Sequence, residues 1–134
     1  MQEVKQFEAA WREDPLNVKP AFEAWEAFLG GLADVSLDFK ARPGISYSLR
    51  ARHAAQKDRE LFVLVDVVDD EPASRWLSVC FYADMVTDPD ELGDFVPQGL
   101  MGADAMCFNL DEDSAAMRDY IAARLAEAAR NAAS

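Results

Sequence analysis

The chain is short of basic residues, cysteine and histidine, and each shortage narrows its possible functions. It carries 13 Lys and Arg against 25 Asp and Glu, which gives a formal net charge of −12. Because such a charge repels nucleic acid and anionic membranes, we expect neither as a partner. One histidine and two cysteines offer no zinc-ligand spacing. No metal site and no cofactor are predicted.

Long apolar runs are also absent. No run exceeds five residues. The best covers residues 61–65 and is ended by Asp66, whereas a membrane helix needs about 20 apolar residues. The N-terminus is charged and lacks the apolar segment of a secretory signal. We therefore expect a cytoplasmic protein in which Cys80 and Cys107 are buried thiols, in a reducing compartment. A disulfide between them would be possible if their strands were neighbours.

The middle of the chain contains strand-like patterns. At 134 residues and 51% hydrophobic content, the chain can form one domain, residues 1–134, with its own core. Apolar residues alternate with polar ones in several of its runs, as expected for strands. The five predicted strands cover residues 35–42, 46–53, 61–68, 75–83 and 104–110.

Helical patterns lie at the two ends of the chain. Val4, Phe7 and Trp11 have helical spacing and predict a first helix. A second helix is expected to begin near Pro20 and to end near Gly30. A third follows the acidic residues 111–113. Its predicted buried stripe contains Met117, Tyr120, Ile121, Leu125 and Ala128.

These elements predict an α+β fold. Short connections between the first four strands favour a mainly antiparallel five-stranded sheet. The N-terminal helices and the C-terminal helix are expected to pack on one face of this sheet. The predicted architecture is therefore a two-layer sandwich.

The face of the sheet away from the helices, called the open face below, collects polar side chains. Its predicted members are Asp38, Lys40, Ser48, Arg50, Arg52, Asp66, Ser78, Cys80, Tyr82 and Asn109. Two arginines could hold a carboxylate or a phosphate there, with acidic and hydroxyl groups to orient it. The candidate ligand-binding residues are Arg50, Arg52, Asp66, Tyr82, Ser78 and Asn109. A solvated face of cross-strand ion pairs is the commoner arrangement of such residues.

The connection 84–102 is long for a small domain. Such connections often cover a site, so this one is expected to roof the open face. Residues 87–92 have the pattern of a short capped helical turn.

Catalytic motifs are missing from the chain. A hydrolytic triad would have to use His53, which lies at a predicted strand end beside a polar loop. No nucleophile elbow and no phosphate-binding loop is present. The sequence therefore favours a binding module over an enzyme, with an enzyme that uses Asp66, Tyr82 or His53 as the alternative.

The C-terminal half carries a family resemblance. The small-residue loop 96–102, the strand 106–110, the acidic step 111–113 and the helix ending at 124–128 resemble small uncharacterised bacterial proteins of the YdhG-like and YjbR-like type. Residues 42–51 and 66–82 are similar to a narrow family signature. The resemblance implies a fold shared with type III secretion chaperones and brings no catalytic residue. The DNA-binding role attached to some YjbR-like proteins conflicts with the net charge of −12.

Two functions are expected from these observations. The first is a module that binds a small ligand or a protein through the open face. The alternative, implied by the chaperone resemblance, is a homodimer that wraps an extended protein segment. The partner is therefore an unidentified protein or small molecule, and the chain is a monomer or a homodimer.

Overall fold

The elements follow the predicted order, with one strand added. The computed structural model describes all residues, 1–134. The helices are α1 (Gln2–Ala10), α2 (Lys19–Gly30) and α3 (Ala115–Ala133). The strands are β1 (Val35–Arg42), β2 (Ser46–His53), β3 (Val63–Val68), β4 (Trp76–Tyr82), β5 (Asp94–Leu100) and β6 (Ala103–Leu110).

The six strands form one open sheet in the order β1-β2-β3-β4-β6-β5. Every neighbouring pair is antiparallel. The predicted α+β class is therefore confirmed, and the predicted count of five strands is wrong. β5 was not predicted, because it contains Pro97 and Gly99 and its polar and apolar residues do not alternate. Proline lacks the N–H that a central strand needs, and β5 is accordingly an irregular edge strand.

The core lies between the three helices and one face of the sheet. The sheet contributes fully buried side chains that alternate along the strands: Leu49, Val65, Val67, Leu77, Val79 and Phe108. The helices add Val4, Phe22, Leu29, Ile121 and Leu125, which are also fully buried. α2 contacts β1, and α3 contacts β2 and β6. The alternate side chains of the strands form the open face.

Local hydrogen bonds fix where α2 and α3 begin. The Asp14 carboxylate accepts the backbone N–H groups of Val18 and Lys19, at 3.0 and 2.9 Å. Ser114 caps α3, because its hydroxyl accepts the N–H of Met117 at 3.1 Å. These side chains satisfy N–H groups that have no partner within the helix.

The segment 87–92 is a loop rather than the predicted helical turn. The two carboxylate oxygens of Asp88 accept the N–H groups of Leu92 and Gly93, both at 2.9 Å. Asp88 therefore holds a non-helical loop closed through local hydrogen bonds between its side chain and the backbone. The only helical turn of this connection is a short 3₁₀ turn, Ala83–Met85.

Candidate functional site

Strand register arranges the open face in rows. One row places Lys40, Ser48, Asp66, Ser78 and Asn109 side by side across five strands. Since directly opposed residues of antiparallel strands have Cβ atoms about 5 Å apart, neighbours in a row interact. The predicted residues Asp66, Ser78 and Asn109 therefore lie together.

The next row brings Arg50 to the same region. It places Asp38, Arg50, Leu64, Cys80 and Cys107 side by side. Arg50 thus lies diagonally across from Asp66 on the neighbouring strand, and four of the six candidate residues lie in these two adjacent rows.

Basic side chains concentrate at the β1–β2 end of the open face. Lys40 and Arg42 lie on β1, and Arg50 and Arg52 lie on β2, all at alternate positions of one face. Below, this group is called the basic cluster. Arg52 pairs with Asp38, with 3.6 Å between Nη2 and Oδ2. The other three cations have no carboxylate within ion-pair distance.

Asp66 is the buried polar centre of this surface. Burial raises the pKa of the Asp66 carboxyl, and Ser48 and nearby guanidinium groups offset only part of this effect. Its Oδ1 atom is buried and has no hydrogen-bond partner. No ion pair joins Arg50 to Asp66. Nε of Arg50 donates instead to the hydroxyl of Ser48 at 3.3 Å. The site therefore has an unsatisfied acceptor beside unpaired cations.

Tyr82 is held away from these residues. Only 2% of it is exposed, and the Arg59 guanidinium lies 4.1 Å from the centre of its ring. Arg59 in turn donates two hydrogen bonds to Asp84, at 2.8 and 3.0 Å. Tyr82 therefore belongs to a separate Arg59–Asp84 cluster. Arg52 is likewise engaged with Asp38.

The connection 84–102 does not cover the open face, contrary to expectation. Its first part is held to α3, on the helix side of the sheet. Thr87 donates through its backbone N–H to Glu127 at 2.9 Å, and Arg124 donates to the carbonyl of Thr87 at 3.1 Å. The Tyr120 hydroxyl donates to Asp88. The remainder is the edge strand β5, so this connection does not roof the open face.

The expectation of two free buried thiols is also wrong. Cys80 and Cys107 are directly opposed on β4 and β6 and form a disulfide. The two strands are neighbours because β5 lies outside β6, at the edge of the sheet. Both cysteines are half-buried on the open face.

The candidate enzyme residues are not brought together. His53 pairs with Val35, whereas Asp66 pairs with Ser48. These pairs belong to opposite faces of the sheet. Nδ1 of His53 accepts the N–H of Ala55 at 3.0 Å, which fixes the ring at the strand end. An active site that combines His53 with Asp66 is therefore not formed.

Sequence reasoning missed Arg42 as a member of the basic cluster. The alternation of β1 continues from Asp38 and Lys40 to Arg42, so the period of the strand contains the signal. A second signal is the distribution of charge: residues 76–117 contain nine acidic residues and no Lys or Arg. The β4–β6 end of the sheet is therefore acidic, and the unpaired cations lie at the opposite end.

The open face is a surface rather than a pocket. None of the five principal clefts of the molecule is lined by Arg50, Asp66 or Ser78. Asn109 lines a separate cleft with Asp90, Leu92 and Tyr120. No group of three or more His, Cys, Asp or Glu side chains is placed to hold a metal ion. None of the three helices has the length and apolar character of a membrane span.

Comparisons with protein-family models, with curated proteins and with solved structures find no match for this chain.

Proposed function

We propose that this protein is a binding module that holds an anionic group, a carboxylate or a phosphate, on the basic cluster of its open face. One observation carries the proposal. In a chain with a net charge of −12, four cations occupy one face of two neighbouring strands, and only Arg52 has a carboxylate partner. Unpaired guanidinium groups are the side chains best suited to bind planar anions.

Hydroxyl groups support the same proposal. Ser46 and Ser48 lie on β2 beside the cations, and both are buried. Ser46 is directly opposite Arg42, and Ser48 is directly opposite Lys40. Because both hydroxyls are buried, they lie beneath the cations. That of Ser48 accepts a hydrogen bond from Nε of Arg50 at 3.3 Å and so helps to hold this guanidinium in place. The ligand is therefore a small anion or an acidic group on a protein.

Asp66 is expected to set the strength of binding. An ionised Asp66 repels an anion on the basic cluster, and a protonated Asp66 does not. Burial raises the pKa of Asp66, so its carboxylate gains a proton at a higher pH than an ordinary aspartate does. Affinity for sulfate, whose charge is constant over this range, should increase as the pH falls.

Calorimetric titration with pyrophosphate and citrate tests the proposal. Arg42→Gln with Arg50→Gln removes two unpaired cations and should weaken binding about tenfold or more, since charge-assisted hydrogen bonds contribute about 1.5–3 kcal/mol each. Arg118→Gln with Arg130→Gln is the matched control, because it removes the same charge from α3. An equal loss of affinity in both double variants would show that only the net charge of the protein matters, and this result would contradict a specific site.

A further inference from the structure

The Cys80–Cys107 disulfide joins strands that are already paired. The two Cα atoms are 4.1 Å apart, and the cysteines are separated by 27 residues in sequence. β4 and β6 pair over six positions, from Leu77 with Leu110 to Tyr82 with Ala105. The disulfide therefore adds a covalent bond to a complete ladder and does not create the contact between the strands.

The packing beneath the disulfide is independent of it. Val79 and Phe108 are opposed on the helix-covered face and are fully buried. Phe81, also fully buried, packs against Phe108 with 5.9 Å between the ring centres. Because these contacts lie on the other side of the sheet, we expect the core to persist when the disulfide opens.

The surroundings of the disulfide make it accessible and acidic. Both cysteines are half-buried on the open face, away from the helices. The exposed Asp94 of β5 is directly opposite Cys107. A carboxylate beside an attacked sulfur repels an incoming anionic thiolate and attracts a thiol that carries a positive group.

We propose that Cys80–Cys107 is a reversible thiol–disulfide exchange site that prefers small thiols bearing a positive charge. A thiolate attacks one sulfur and forms a mixed disulfide, and the other cysteine leaves as a thiolate. A second thiol then attacks the mixed disulfide. The products are two cysteine thiols and the oxidised small molecule, so two electrons pass to the protein and each cysteine sulfur gains a proton. Oxidised small-molecule disulfides run the reverse reaction.

Three reductants that differ in charge test this site in the intact chain without denaturant. They are 2-mercaptoethylamine, which is positive, 2-mercaptoethanol, which is neutral, and 2-mercaptoethanesulfonate, which is negative. The rate at which each thiol reduces the protein disulfide is divided by the rate at which the same thiol reduces an uncharged model disulfide. Thiols are trapped with N-ethylmaleimide and counted by intact mass, while far-UV circular dichroism reports the fold. The rates should decrease in the order given. Each step should be about threefold, since one exposed charge nearby contributes about that factor in water.

Two variants separate this site from a structural cross-link. Asp94→Asn should make the normalised reduction rates of the three thiols more similar to one another. Cys80→Ser with Cys107→Ser should keep the wild-type circular dichroism spectrum. The proposal is overturned if the cysteines react only after denaturation, if the reduced chain unfolds, or if the normalised rates are independent of reductant charge.

Discussion

Asp69 accepts a hydrogen bond from Nε of Arg75 at 2.6 Å, and both side chains are largely buried, with 3% and 13% of their surfaces exposed. The second oxygen of Asp69 accepts the N–H of Gly44 at 2.7 Å. The Arg75 guanidinium lies 5.3 Å from the ring centres of Phe7 and Tyr47. This pair therefore ties α1, the β1–β2 turn and the β3–β4 connection together.

Removing one member of this pair should destabilise the fold strongly. Asp69→Asn or Arg75→Met leaves a buried charge without its partner, and we expect a loss of about 3–5 kcal/mol in the free energy of unfolding. Urea denaturation measures it. Arg118→Ala breaks the more exposed pair with Asp113 and should leave the unfolding midpoint close to that of the wild type. Similar midpoints for all three variants would refute the structural role of the Asp69–Arg75 pair.

Asp66 should make stability depend on pH. Burial raises the pKa of Asp66 in the folded chain, so between the ordinary aspartate pKa and this raised value the folded chain binds more protons than the unfolded chain. Stability therefore falls as pH rises through this window. Asp66→Asn should melt at a higher temperature than the wild type above the window, and the gap should close as pH falls. A gap that is constant with pH would contradict the raised pKa.

The Asp88 loop should loosen when its contact with α3 is removed. Desolvation works to raise the pKa of Asp88, but hydrogen bonds from Tyr120 and from the N–H groups of Gly93 and Leu92 outweigh it and lower the pKa. Tyr120→Phe removes the hydroxyl and should cost about 1 kcal/mol of stability. Hydrogen exchange should accelerate at residues 87–93 and remain unchanged in β2. Uniform acceleration over the chain would indicate global destabilisation instead.

Gly93 is required where the chain passes the Phe108 ring. A Cβ atom at position 93 would lie 2.7 Å from Cε1 of Phe108, whose side chain is fully buried in the core. Gly93→Ala should therefore cost about 1–3 kcal/mol, as overpacking usually does. Gly30→Ala is the control, because its Cβ would meet Leu37 at an ordinary 3.4 Å. Equal unfolding free energies for the two variants would rule out the close approach.

The alternation of polar and apolar residues predicted the exact bounds of some strands and left another strand undetected. β1 and β2 have the predicted bounds, because polar and apolar residues alternate along both of them in the sequence. The edge strand β5 gave no such signal, since most of its residues are exposed on both faces. The pairing of Cys80 with Cys107 could not be predicted for the same reason, because the adjacency of β4 and β6 depends on where the undetected strand β5 docks.

The candidate site was predictable as a face but not as a set of contacts. Alternation placed Arg50, Asp66, Ser78 and Asn109 on one side of the sheet. It could not show that the guanidinium of Arg59 lies over the ring of Tyr82, because Arg59 lies in a loop. The family resemblance, the cytoplasmic location and the alternative of a chaperone-like homodimer stay predictions.

The most direct test of the anion site is to map binding on the folded chain by NMR. Amide chemical shifts are followed while citrate is added to the wild type and to the Arg42→Gln, Arg50→Gln variant. The account predicts saturable shifts concentrated in residues 40–52 of β1 and β2, and their loss in the variant. Shifts centred elsewhere, or none that saturate, would contradict a binding site on the basic cluster.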